Sequence, residues 1–132
     1  IKAMEIVGVA EFAHKPLYSL SGGMRQNAYI AMALAQDTDY ILLDEPTTYL
    51  DIAHQLELMR ILRKLADSGK GIVTVMHNLP IAFDFSDKLT VMSNGKIIAY
   101  GTPSEICESH IVEDIFGVKI KQVQKGKYLY EY

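Results

Sequence analysis

Two adjacent carboxylates follow one short apolar run, and a histidine follows the next such run. Asp44 and Glu45 come directly after Tyr-Ile-Leu-Leu (40–43), and His77 comes after Gly-Ile-Val-Thr-Val-Met (71–76). Ligands of open α/β sheets bind outside the carboxyl ends of the strands. Because successive strand residues point to opposite faces, one carboxylate can approach a metal-bound water while the other faces a reacting water. Either cluster alone is more often structural, but together they favour a site.

A second segment places two adjacent glycines behind a serine. In Leu-Ser-Gly-Gly-Met-Arg-Gln (20–26), Gly22 and Gly23 directly follow Ser21. Glycine loses more conformational entropy on folding than other residues, so the pair indicates that some group must come close to the backbone there. One amphipathic helix is expected to separate this segment from the paired carboxylates.

Length and composition describe one modest domain with a packed core. The chain has 132 residues, and its 49% of hydrophobic residues argues against disorder. A net charge of −3, with mixed signs, gives no electrostatic footprint for nucleic acid. A single cysteine, Cys107, excludes an internal disulfide and fits a reducing cytosol. Neither a membrane span nor a signal peptide is visible, and a start at Ile1 rather than methionine suggests a piece of a longer protein.

Apolar spacing and turn residues predict an α/β fold with a mainly parallel sheet, flanking helices and antiparallel hairpins at the C-terminal end. Strands covered on both faces are expected at 40–43 and 71–76, a hairpin around Asn94-Gly95 and another over 119–132. Helices are expected at 2–7, 23–35, 54–65, 79–85, from a capping box at 102–105, and continuing over 110–116. The core faces of the two longest helices are predicted to hold Met24, Ala28, Ala31, Ala35, Leu58, Ile61, Leu62 and Leu65.

Taken in their order along the chain, these motifs resemble those of an ATP-binding-cassette (ABC) ATPase domain, and the resemblance covers essentially the whole chain. Residues 20–26 are similar to the family signature, 40–47 to its Walker B segment and 49–51 to its D-loop. Residues 76–77 resemble its switch histidine, and 94–105 its closing hairpin. Each motif alone is weak, but jointly they are highly specific. The stretch Thr-Thr-Tyr-Leu-Asp-Ile-Ala-His-Gln-Leu-Glu-Leu (47–58) further resembles the ATPases of ferric-siderophore, haem and cobalamin importers.

The resemblance implies the C-terminal part of a P-loop NTPase domain that uses ATP and Mg²⁺. Asp44 would hold Mg²⁺ through water, and Glu45 would orient and deprotonate the attacking water. His77 would touch the γ-phosphate and stabilise the transition state. Three regions follow: a signature-helix region over about 1–36, a Walker B to switch-histidine core over about 37–87, and C-terminal hairpins and helices over about 88–132.

The same resemblance implies residues that act on a second subunit, because family domains work as head-to-tail dimers. Ser21, Gly22 and Gly23 would hold the γ-phosphate of ATP bound to that partner, and Asp51 would lie at the dimer interface. Glycines let backbone N–H groups approach phosphate oxygens without a Cβ in the way, and the helix N-terminus adds its dipole. Two positions depart from the family pattern: Met24 replaces the usual glutamine, and Asn78 the common aspartate.

No Gly-x-x-x-x-Gly-Lys-Ser/Thr segment occurs in the chain. The family's Walker A lysine, its Mg²⁺-binding Ser/Thr, its Q-loop glutamine and its adenine-stacking aromatic residue would all precede Ile1. We therefore expect this chain alone to bind neither ATP nor Mg²⁺ tightly and to be inactive. We also expect it to self-associate through an apolar sheet edge.

The leading interpretation is the ATP-hydrolysing subunit of an ABC importer, held by transmembrane permease subunits at the cytoplasmic face of the membrane. One alternative is a cytosolic ABC ATPase without a transporter, and another is a non-catalytic α/β binding module. The acidic balance disfavours a nucleic-acid role, and the intact Glu45 and His77 argue against a non-catalytic module. Other histidines, including His54, lack a second ligand at metal spacing and receive no site role.

Overall fold

Helices alternate with two parallel strands in the first of two structural units, Ile1–Met76. The computed structural model describes residues 1–48, 50–124 and 127–131. The elements of this unit are α1 (Lys2–Ile6), α2 (Gly22–Ala35), β1 (Tyr40–Asp44), α3 (Ile52–Asp67) and β2 (Gly71–Val75), with 3₁₀ turns at Ala10–Phe12 and Leu17–Ser19. Gly8, at a φ of +72°, follows α1 where the sequence places a C-terminal cap.

The two strands of this unit pair in parallel, with Tyr40 beside Gly71 and Asp44 beside Val75. The expectation of a sheet covered on both faces is wrong for the described residues. Ile41 is buried, but Leu42 is 75% exposed, and Tyr40 on the same face is 69% exposed. The sheet therefore packs on one side only, because no described residue covers the other.

The two long helices bury most, but not all, of the predicted core positions. In α2, Ala28 and Ala31 are buried as expected, but Ala35 is exposed because the helix ends there. Ile30, which the sequence analysis did not select, is fully buried. In α3 the buried residues are Leu58, Met59, Leu62 and Leu65, whereas the predicted Ile61 is only half-buried. The spacing predicts the face of each helix, but the neighbouring elements decide where that face ends.

The second unit, His77–Tyr132, combines short helices with two antiparallel hairpins. Its elements are α4 (Leu79–Phe85), β3 (Leu89–Ser93), β4 (Lys96–Gly101), α5 (Pro103–Glu108), α6 (Ile111–Phe116), β5 (Lys119–Gln124) and β6 (Lys127–Glu131). Asn94 and Gly95 have φ angles of +49° and +73°, as a two-residue hairpin turn requires. The capping box is present: the Glu105 amide donates to Thr102 Oγ1, and the Thr102 amide donates to a Glu105 carboxylate oxygen.

The core of the second unit is a cluster around Phe83 on α4. The ring of Phe83 meets those of Tyr128 and Tyr130 edge-on, at centroid distances of 5.1 and 6.4 Å. These tyrosines therefore pack, as their alternation predicts, while Tyr132 lies outside the described residues. The other buried members are Val91, Ile106, Cys107, Val112 and Ile120.

One helix of the second unit differs from its prediction. Residues 110–116 do not continue the preceding helix, because His110 adopts a left-handed backbone with a φ of +57°. The chain bends there, α5 ends at Glu108, and α6 begins at Ile111. Among the residues that the structure describes, no helix combines the length and apolarity that crossing a bilayer would need.

Candidate functional site

The serine and glycine segment forms the N-terminus of α2. Ser21 is the N-cap, and its Oγ accepts a hydrogen bond from the Met24 amide at 3.3 Å. Only the backbone of Met24 takes part in this bond, so the departure from glutamine at that position does not affect the cap. Ser21 and Gly22 are both exposed, and a Cβ added at Gly22 would meet nothing within 4 Å. The first turn of the helix thus presents open backbone, a geometry that accepts an anion.

Gly23 differs from Gly22, because the imidazole of His54 packs against it. A Cβ added at Gly23 would lie 2.8 Å from Cδ2 and 3.3 Å from Cγ of His54. Asp51 holds this ring through a 2.7 Å contact between its Oδ2 and His54 Nδ1. The other carboxylate oxygen, Oδ1, accepts the His54 backbone amide at 2.9 Å and so caps α3.

His54 is a residue to which the sequence analysis gave no site role. The signal that could have found it is the Asp-x-x-His spacing, which puts a histidine three residues after a helix N-cap. The backbone and side-chain hydrogen bonds from His54 lower the pKa of Asp51 from its ordinary value of 3.8. The Asp51 carboxylate is therefore held in its charged form. The structure thus links two predicted site residues, Gly23 and Asp51, through one imidazole.

The paired carboxylates lie where β1 ends, but they do not follow the alternation of a strand. Asp44 is exposed in the last pair of the ladder, beside Val75. Glu45 has a φ of +45°, a left-handed conformation that is unusual for a residue with a side chain and raises the energy by about 1–2 kcal/mol. Its amide still donates to the Val75 carbonyl at 3.0 Å. The backbone therefore leaves the strand conformation at Glu45, directly after Asp44.

A hydrogen bond orients the Glu45 side chain. The hydroxyl of Thr48 donates to Glu45 Oε2 at 3.0 Å, and the Thr48 amide donates to the Glu45 carbonyl. Glu45 itself is half-buried, and the two residues after it, Pro46 and Thr47, are buried. A strained backbone that its surroundings hold in place is a common feature of functional sites.

His77 is the first residue of the second unit, and its side chain is exposed. The next residue, Asn78, caps α4, since its Oδ1 accepts the Ile81 amide at 3.2 Å. Asparagine and aspartate are equally good N-caps, so this departure from the family pattern preserves the start of the helix.

Two cavities in the first unit lie apart from these residues. One, of about 280 Å³, is lined by residues of α1 and α3, and the other, of about 330 Å³, by residues of α1, α2 and the 3₁₀ turns. Neither is lined by a predicted site residue. The predicted site residues lie instead on strand ends and helix starts, most of them exposed.

The fold is that of ABC ATPase cassettes. It aligns with a structure described as an inward-facing metal-chelate type ABC transporter at a TM-score of 0.82 and 28% identity, covering 98% of this chain and 53% of that one. A dimeric bacterial ABC transporter cassette aligns at a TM-score of 0.68 and 29% identity, covering 77% of this chain and 44% of that one. A family model described as ABC transporter matches residues 1–48.

Sequence relatives narrow the class. The petrobactin import ATP-binding protein FpuD of Bacillus anthracis is 45% identical over 86% of this chain and 42% of its own length. The iron(3+)-hydroxamate import ATP-binding protein FhuC of Bacillus subtilis (strain 168) is 45% identical over 88% of this chain and 44% of its own. The ferric enterobactin transport ATP-binding protein FepC of Escherichia coli (strain K12) is 43% identical over 89% of this chain and 44% of its own length. The chain is a member of the ABC ATPase family, and it spans about half the length of these curated relatives.

Proposed function

We propose that this chain supplies the water-activating and partner-facing parts of an ATPase that energises import of an iron siderophore, haem or cobalamin. Support comes from the import proteins named above and from a hemin import ATP-binding protein of Rhodococcus jostii, 37% identical over 93% of this chain. In this proposal the ATPase works as a head-to-tail dimer beneath transmembrane permease subunits, at the cytoplasmic face of the membrane.

The conformation of Glu45 is the observation that carries the proposal. Glu45 adopts a left-handed backbone, and the Thr48 hydroxyl donates a hydrogen bond that fixes its carboxylate. A general base must be fixed within reach of the proton that it removes, and here the strain of the turn serves that positioning. Glu45 would orient the attacking water and accept its proton. His77 would donate a hydrogen bond to the γ-phosphate.

The residues present fit a magnesium ion and phosphate oxygens in part. Mg²⁺ prefers oxygen ligands and is commonly held by one or two carboxylates together with substrate phosphates. The exposed Asp44 can provide one such carboxylate. Asp44 would bind the ion through water, and the ion would neutralise charge on the phosphate oxygens. The open N-terminus of α2, with Ser21, Gly22 and Gly23, would face the γ-phosphate of ATP on a partner subunit.

A phosphate-binding loop is the part of such a site that the sequence lacks. We infer that the chain by itself neither binds Mg-ATP with micromolar affinity nor hydrolyses it, because its donors reach a nucleotide that another subunit already holds. The open face of the β1–β2 sheet and its outer edges, which no described strand pairs, also favour self-association, since such surfaces recruit another chain.

The experiment is Glu45→Gln in a complete subunit, meaning one that also carries the phosphate-binding loop. This change keeps the shape of the side chain and removes its basicity, so turnover should fall about 10²–10⁴-fold while ATP still binds. Glu57→Gln on the exposed part of α3 is the matched control and should hydrolyse ATP normally. Steady-state hydrolysis by the Glu45→Gln variant within a few-fold of the unsubstituted enzyme would refute the assignment.

A further inference from the structure

His54 joins two segments to which the proposed function gives separate tasks. Its imidazole touches Gly23 at the start of α2, and Asp51 at the start of α3 fixes the same ring. We propose that His54 is a positioning residue that sets the backbone of the glycine segment relative to Asp51 at the start of α3. This inference rests on the proposed function, in which Gly23 faces a nucleotide and Asp51 a subunit interface.

The contact with Gly23 goes beyond what capping a helix requires. A cap needs a carboxylate at Asp51 and a backbone amide at His54, and any non-proline residue at position 54 supplies that amide. The bond from Nδ1 to Oδ2 does more, because it holds the ring in one orientation. Asp51 and His54 together therefore hold a ring in contact with the backbone of Gly23.

This geometry gives Gly23 a reason to be glycine that lies within the chain itself. A methyl group at Gly23 would come within 2.8 Å of a ring carbon, closer than ordinary van der Waals contact allows. Gly22 has no such neighbour, although it belongs to the same segment. If phosphate contact were the only reason for both glycines, His54 would not influence what either position tolerates.

The test is a cycle of variants in this chain: Gly23→Ala, His54→Ala and the two together, compared by the midpoint of thermal unfolding. Gly23→Ala should lower the midpoint when His54 is present and leave it equal or higher in the His54→Ala background, where alanine is the better helix former. Gly22→Ala is the matched control and should shift the midpoint equally in both backgrounds. Equal shifts for Gly23→Ala in the two backgrounds would overturn the proposal.

A second measurement applies even if Gly23→Ala fails to fold. In the NMR spectrum of the otherwise unsubstituted chain, the ring current of His54 should shift the Hα protons of Gly23, and His54→Ala should move them far more than those of Gly8. His54→Phe keeps a ring against Gly23 and should retain most of the shift. Movement no larger at Gly23 than at Gly8 would contradict the contact.

The functional readout separates this inference from the proposed function. In a complete subunit, His54→Ala should lower kcat about 10- to 100-fold with little change in KM, because a misplaced donor segment weakens the closed state more than nucleotide capture. If the unsubstituted subunit hydrolyses no ATP, the proposed function fails while the unfolding cycle still decides the positioning role. Hydrolysis by His54→Ala at the normal rate, in an active enzyme, would overturn the positioning role alone.

Discussion

The parallel pair β1–β2 and the terminal hairpin β5–β6 both expose one face, but an exposed face is unusual for a parallel sheet and common for an antiparallel one. Antiparallel sheets commonly leave one face to water, whereas parallel sheets are almost always covered on both. The sequences match this rule: β5 carries two lysines and two glutamines beside Ile120 and Val123, while β1 runs through Tyr40 to Leu43 without a polar residue. The open face of the hairpin is therefore ordinary, whereas that of the parallel pair departs from the usual pattern of such sheets.

The largest expected effect tests whether the second unit, which contains the hairpin β5–β6, has its own core centred on Phe83. Phe83→Ala removes the ring at the centre of the second unit, where it is 3% exposed and contacts Tyr128 and Tyr130. Truncating a buried phenylalanine typically costs about 3–5 kcal/mol of unfolding free energy. Phe116→Ala, at a ring that is 50% exposed, is the matched control and should cost well under half as much. Chemical denaturation measures both, and similar losses would mean that the core does not centre on Phe83.

Smaller losses of unfolding free energy should show that the parallel pair packs on one face only. Ile41→Ala and Leu42→Ala alter neighbouring residues of β1 that point to opposite faces. Ile41→Ala should cost about 2 kcal/mol, the low end for a buried aliphatic residue, because only one side of the sheet is packed. Leu42→Ala should cost less than about 0.5 kcal/mol in the dispersed chain, as expected for surface positions.

The same strand gives the test of self-association. Leu42→Lys puts a charge on the open face and should reduce the mass measured by light scattering, while Lys88→Ala, at a partly exposed lysine of the second unit, should not. A monodisperse monomer before any substitution would contradict the self-association proposal. An unchanged oligomer in Leu42→Lys would show that a different surface mediates it.

Local signals explain why so much of the fold could be predicted. The hairpin turn at Asn94-Gly95, the capping box at Thr102 and the helix at 79–85 each depend on residues within a few positions of one another. The break at His110 could not be predicted, because a histidine adopts the left-handed conformation there and no glycine marks the position.

The site shows the same division. The order of motifs predicts Asp44, Glu45 and the serine–glycine segment as site residues, and the structure places each at a strand end or helix start. The left-handed backbone of Glu45 could not be predicted, because glutamate has no propensity for it and the hydrogen bond to Val75 comes from a distant strand. The contact between Gly23 and His54 joins separate helices, so no single-sequence pattern reports it.

The smallest expected effects concern the carboxylates that cap helices in each unit. The pKa of Asp51 is lowered by hydrogen bonds from His54, and that of Glu105 by hydrogen bonds from Thr102 and the charge of Lys88. A lowered folded-state pKa means that each group stabilises the fold above its ordinary pKa, and that this contribution is lost as the pH falls through the folded-state pKa. Partial desolvation raises the pKa of Asp84 instead.

The sign for Asp84 is therefore opposite: its contribution to stability is present at low pH and is lost as the pH rises through its folded-state pKa. A carboxyl-carbon NMR titration should give midpoints below the ordinary values for Asp51 and Glu105 and above it for Asp84. His54→Ala should move the Asp51 midpoint upward, because it removes the side-chain bond while the backbone bond remains. The Glu105 midpoint should not change in that variant, since its partners, Thr102 and Lys88, are untouched. An unchanged Asp51 midpoint in His54→Ala would mean that the imidazole does not hold this carboxylate. The lowered pKa of Asp51 would then depend on its backbone hydrogen bonds alone.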